Sequence, residues 1–306
     1  MNNNICALNK NQTTCLPDKS IKNIASNFIN NTNKSSDKII DELSKKNEKC
    51  EDLDNVQHKE LCILQNIQKD NSTNKNINKL VSKHIIQYFK PVANKLDGNY
   101  WINNTEIDNI QHQLLKNFPN YYYSYIHMFD LKMFPPQTSN LFEEHNKILP
   151  IAKIDFVDEL KNKTNMDYNK DLNYYGIVCN TDISSGGGIH WFCIFIDFTK
   201  NPIEIEYFNS SGYDIKNDFY GNKFKKFFIN LADNISLNYK PCIFKKVTDI
   251  EHQRSDTANC GSYSLYYIWK RLTKDDYSSF VNKPIEDEDM EKFRSYLWRK
   301  KNELKF

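Results

Sequence analysis

The sequence predicts an α+β protein in which a central mixed sheet is flanked by helices and preceded by a helical N-terminal arm. Three observations predict it. After about residue 90 the runs YYYSYIHMF, YYGIVCN, HWFCIFIDF, IEIEYFN and CIFKKV are short, apolar, rich in aromatic and β-branched residues, and bounded by turn formers, as strands are. Between and around them, residues 104–116, 216–233, 261–272 and 287–300 carry apolar side chains at helical spacing. From residue 37 up to Pro91 the apolar residues recur at helical spacing. Strands that alternate with helices bury their apolar faces by layering helices on a sheet.

The arm comes first. Residues 1–35 are rich in Asn, Lys, Ser and Thr with little periodicity, so a loosely held lead segment is expected. DKIIDELSKKNEKC (37–50), LDNVQHKELCILQNIQK (53–69) and KNINKLVSKHIIQYF (75–89) follow as three helical segments. Acidic residues are interspersed among their lysines, which suits solvated helix faces better than a nucleic-acid surface. This divides the chain into a partly flexible arm, 1–90, and a domain, 91–306.

Composition narrows the function. In 306 residues, 41 basic side chains against 39 acidic ones give a net charge of +2, with no concentrated basic face to attract nucleic acid. No segment approaches the roughly 20 apolar residues that span a bilayer, and the N-terminus lacks a secretory apolar run, so a soluble intracellular protein is expected. Eight cysteines, at 6, 15, 50, 62, 179, 193, 242 and 260, form no C-x-x-C pair. Neither zinc nor a disulfide framework is expected from that spacing, most of the cysteines read as reduced buried hydrophobes, and no metal or cofactor is called for.

The chemistry concentrates in three places. His190 follows Gly186–Gly188 at the start of a strongly apolar strand. Alone, a histidine beside Trp191 reads better as packing than as a catalyst, and the glycines read better as a hairpin turn than as a cleft lining. The next strand ends at Asn209, and pairing the two as a hairpin across TKNP brings His190 and Asn209 to one end. Cys260 supplies a third partner in the first turn of a dense apolar helix, where the positive helix terminus and a nearby imidazolium lower a thiol pKa. Gly261 admits a substrate backbone, the Cys260 N–H can donate to an oxyanion, and Gln253 offers a second donor. His252 and Asn259 are poorer alternatives.

The order His190, Asn209, Gln253, Cys260, with H-W at 190–191, Y-F-N-S-S-G at 207–212 and N-C-G at 259–261, resembles the adenain and SUMO-protease superfamily of cysteine peptidases. The segment W-I-N-N-T-E-I at 101–107 looks like the one that opens the catalytic domain of such proteases. Asparagine in the triad and a helical arm are most similar to the polyprotein-processing proteases of large DNA viruses of the African swine fever virus type. Gln253 stands seven positions before Cys260, where the family usually has six.

The resemblance implies an endopeptidase that cleaves viral structural precursors after Gly-Gly-type sites during virion maturation, in the virion and host cytoplasm. It also implies a narrow cleft walled by aromatics, for which Trp101 and Trp191 are the candidates, each equally readable as core. Its expected partners are protein substrates, viral precursors or ubiquitin-like conjugates, without nucleic acid or membrane. An arm that binds the catalytic domain or a particle component fits equally. Removal of ubiquitin-like modifiers, a Cys-dependent acyltransferase and a silent binding module are the alternatives.

Overall fold

A computed structural model of the chain describes residues 5–9, 13–70, 73–93, 95–134, 151, 156–161, 172–273 and 277–300. It contains two compact units, Met1–Leu96 with Asn140–Glu143 and Ser295–Phe306, and Asp97–Ser139 with Glu144–Arg294.

The first unit is helical: α1 (Asp18–Ala25), α2 (Ser36–Ser44), α3 (Glu48–Glu51), α4 (Val56–Lys69) and α5 (Lys75–Tyr88). Its abundant asparagines find work at helix starts. Asn55 accepts from Gln57 N and His58 N, and Asn74 from Asn76 N, satisfying amides that have no partner within the helix. Ile21, Ile24, Ile39, Ile40, Leu43, Leu61, Leu64 and Val81 form one apolar core.

Three expectations fail here. Residues 18–25, read as part of a loose lead segment, form α1, because Ile21, Ile24 and Ala25 recur at helical spacing and are buried. Four cysteines are not reduced hydrophobes: Cys6 is bonded to Cys15 and Cys50 to Cys62, pairings set by tertiary proximity that linear spacing does not encode. The expected helix over 287–300 stops at Leu297, and Arg299–Lys300 instead pairs in parallel with β1 (Val92–Ala93). Arg299 N donates to Pro91 O and Arg299 Nε to Lys90 O, drawing that backbone into the ladder.

The second unit holds the sheet. It opens with α6 (Asn104–Asn117), then β2 (Tyr121–Met128), β3 (Met133–Phe134), α7 (Phe156–Lys161), β4 (Tyr174–Asn180), β5 (Trp191–Asp197) and β6 (Ile203–Phe208). There follow α8 (Phe219–Asn238), β7 (Cys242–Lys246), α9 (Cys260–Leu272), α10 (Ser278–Asn282) and α11 (Asp287–Leu297). The strand order is β3-β2-β4-β5-β6-β7, with β2 parallel to β4, β6 parallel to β7 and the other pairs antiparallel.

β5 lies inside the sheet and is buried along its whole length, so it reads as an unbroken apolar run. Phe192, Ile194 and Ile196 join a core with Phe224, Phe228 and Ile235 of α8. Arg271 of α9 reaches Asp197 and Glu206, the acceptors that β5 and β6 present toward that helix. Among the described residues no helix is long and apolar enough to cross a membrane.

Candidate active site

The β5–β6 hairpin fixes the first two side chains. Its register pairs Cys193 with Phe208, so His190, just before β5, and Asn209, just after β6, fall at one end. His190 Nε2 and Asn209 Oδ1 lie 2.7 Å apart. The amide is locked in this orientation: its Nδ2 donates to the Tyr207 hydroxyl at 3.0 Å and to Tyr213 O, while Oδ1 also accepts from Ser211 N and Ser211 Oγ. The turn that carries it needs Gly212, at φ +70°, where an added Cβ would lie 2.7 Å from Asp249 O.

With Oδ1 as acceptor, Nε2 of the imidazole carries the proton and Nδ1 is left as a lone pair. Burial pushes the His190 pKa below its usual 6.5, with the Asn209 hydrogen bond opposing and the charge of Lys216 adding to the shift. The ring is therefore neutral at neutral pH.

Cys260 is the first residue of α9 and is 1% exposed. Its surroundings correct the expectation of an acidified thiol. Burial pushes its pKa up to about 11, against the backbone N–H groups of Trp191, Gly261 and Cys260 itself and the charge of Arg294, all of which favour thiolate. Trp191 directly follows His190 in the chain, so the hydrogen bond to its N–H holds the sulfur at the His190 end of β5. At rest the sulfur is a protonated thiol beside a helix terminus that stabilises an anion once one forms.

Gln253 lies at the same end of the sheet. Its N–H donates to Ser210 O at 3.0 Å, its Oε1 accepts from Ser210 Oγ at 2.9 Å, and its Nε2 donates to Thr257 O at 2.7 Å. One Nε2 hydrogen is left over. His252 is packed among Phe208, Tyr263 and Phe280, and Asn259 Nδ2 is held by Asp287 at 2.6 Å.

A cleft of about 340 Å³ adjoins this end of the sheet, lined by Trp101, Ile126, Met128, Asn180, Gly186–Gly188 and Trp191 among others. Trp101 is 48% exposed and so is not core, whereas Trp191 is 8% exposed and ties its Nε1 to Ile102 O at 3.1 Å. The glycines line the cleft, the reading that ranked second from sequence. α6 starts just behind Trp101 through a capping box in which Asn103 Oδ1 accepts from Glu106 N and Glu106 Oε2 from Asn103 N.

Arg294 was missed. Buried in α11, it donates to Ser262 Oγ, Ala258 O, Asp97 O and Tyr100 O at 2.7–2.9 Å, joining the start of α9 to the segment that precedes Trp101. A signal was available: the chain has only four arginines, at 254, 271, 294 and 299, and a guanidinium can donate to several acceptors at once where lysine cannot.

No family profile matches the chain. Over 132 residues it is 39% identical to the SUMO-1 cysteine protease of a warthog isolate of African swine fever virus, covering 42% of this chain and 45% of that protein. Over 151 residues it is 36% identical to the cysteine protease of a tick isolate of the same virus, covering 49% and 52%. The chain thus spans about half the length of the relatives it matches. Its structure is similar to the crystal structure of the African swine fever virus protease, with a TM-score of 0.62, 24% identity, and coverage of 97% of this chain and 96% of that one. The resemblance read from the H-W, Y-F-N-S-S-G and N-C-G motifs is borne out in these relatives, and the α+β fold is one that this chain shares with the crystallised viral protease.

Proposed function

We propose that the chain is a thiol endopeptidase in which Cys260 is the nucleophile, His190 the base and then the acid, and Asn209 the group that orients the imidazole. The 2.7 Å bond between His190 and Asn209 carries this reading, because it leaves Nδ1 free to take a proton at the end of the sheet where the Cys260 sulfur lies.

Both groups are neutral at rest. The thiol proton passes to His190 Nδ1 as the sulfur attacks a peptide carbonyl carbon, and the carbonyl oxygen takes the negative charge. The Cys260 N–H and the remaining Nε2 hydrogen of Gln253 donate to that oxyanion. The C–N bond breaks as His190 returns the proton to the departing amine. Water, deprotonated by His190, then cleaves the thioester and regenerates the thiol.

The substrates in this reading are viral structural precursors cut after Gly-Gly during virion maturation, in the virion and the host cytoplasm. Residues 91–306 are the catalytic domain, and residues 1–90 an arm that binds that domain or a particle component. A cleft lined by bare glycine backbone and by Trp101 and Trp191 suits a chain lacking side chains next to the cut. Purified protein is expected to cleave a Gly-Gly-Xaa peptide and Cys260→Ala to leave it intact. Intact peptide with the wild-type protein, across pH and reductant, overturns the proposal.

A second reading, removal of a ubiquitin-like modifier, is favoured by the name of one relative, a SUMO-1 cysteine protease. Offering a modifier–fluorophore conjugate and a precursor peptide side by side separates the two by their relative kcat/KM.

A further inference from the structure

Asn180 is the last residue of β4, paired directly across from Trp191. It is 1% exposed, yet it lines the cleft. Its Oδ1 is used twice, accepting from Asp182 N at 3.0 Å and Ile189 N at 3.0 Å. These bonds fix the amide plane and orient its two hydrogens. The Nδ2 makes no hydrogen bond among the described residues, and the nitrogen is not sealed from the cleft that its residue lines. Gly188, at φ +85°, lies against it, and a Cβ there would come within 3.2 Å of the nitrogen. The absence of that carbon leaves the donor open to the cleft.

A rigid, unpartnered N–H pair facing a narrow cleft beside glycine backbone suits one ligand group, the carbonyl oxygen of an extended peptide. We propose that Asn180 is a substrate-binding residue, whose Nδ2 donates to a backbone carbonyl of the substrate segment lying between Gly186–Gly188 and Trp191. This deepens the peptidase reading and rests on it. Asn180 takes no part in the proton transfers. Because the carbonyl acceptor is present before and after the reaction begins, its contribution falls on binding and not on the chemical step.

The test uses the full chain and a fluorogenic peptide whose cleaved bond follows Gly-Gly. Asn180→Asp keeps an oxygen for Asp182 N and Ile189 N but replaces the donor. We expect KM to rise at least tenfold while kcat stays within threefold and the alkylation rate of Cys260 by iodoacetamide is unchanged. Asn180→Ala, which also frees the loop, is expected to lower kcat as well. An unchanged KM in Asn180→Asp overturns the proposal. So does a fall in kcat and alkylation rate without a change in KM, which would assign Asn180 to holding His190. If the wild-type protein fails to cleave, the peptidase reading is at fault. The inference is then judged separately by titrating the same peptide into Cys260→Ala protein and following tryptophan fluorescence. Saturable binding that Asn180→Asp weakens at least tenfold supports it, and equal affinity, or no binding at all, overturns it.

Discussion

His190 is held neutral by burial and oriented by one carboxamide, and Cys260 is held protonated by burial. A pair of neutral partners behaves differently from a preformed thiolate–imidazolium ion pair. In the proposed mechanism His190 accepts a proton only when it is itself unprotonated, and its pKa is displaced below the ordinary 6.5. We therefore expect kcat/KM to climb along an acid limb centred below pH 6.5 and to stay level through mildly alkaline pH, where the buried thiol is still protonated. A pH–rate profile with its acid limb centred above 6.5 would instead indicate an imidazolium stabilised by a thiolate. Asn209→Ala frees the ring to turn and should lower kcat by roughly 10²-fold, within the usual range for a misplaced general base, with KM little changed.

At the scale of the element, α9 bears Cys260, the proposed nucleophile, at one end and an ionic anchor at the other. Arg271, in its last turn, bonds Glu206 through Nε and Nη2 and Asp197 through Nη2, each at 2.9 Å, and all three groups are buried. Tyr267 adds a hydroxyl donor to Glu206 at 2.6 Å, one turn earlier. The helix is thereby fixed in register along β5 and β6, which sets where Cys260 stands. Arg271→Met removes the guanidinium from Asp197 and Glu206, leaving Lys200 at 3.6 Å from Glu206, and should cost about 3 kcal/mol, read as a lowered urea midpoint.

This level is also where the sequence stops being legible. β5 declared itself because both its faces are buried and it reads as an unbroken apolar run, and α6 because its apolar residues recur at helical spacing. The Arg271 anchor did not, since its acceptors stand 65 and 74 positions away in sequence. The hairpin that joins His190 to Asn209 was legible because only a short connection separates its strands, whereas the burial that raises the Cys260 pKa is a property of the assembled core.

Across the whole chain, the two units carry different titrations. In the helical unit Glu60 is buried and accepts from Cys15 N at 2.7 Å and Leu16 N at 2.9 Å, yet burial outweighs these bonds and raises its pKa from 4.5 to about 7. A carboxyl that binds its proton more tightly when folded stabilises fully below its unfolded pKa and loses that contribution as pH rises through the folded one. Stability should therefore fall by about 3 kcal/mol between pH 4.5 and 7 and level off above. Comparing urea unfolding of wild-type and Glu60→Gln full-length protein at pH 5 and 7.5 checks this, the variant being expected to lose the difference.

The cysteines divide between the units. The described pairs, 6 with 15 and 50 with 62, are both in the helical unit, while 179, 193, 242 and 260 are free in the other. Dithiothreitol or glutathione added to protect Cys260 from oxidation also attacks the cross-links of the helices, so no single buffer favours both. Activity measured against reductant concentration is best read beside a thiol count for each unit, lest a softened N-terminal region be mistaken for a failing catalyst.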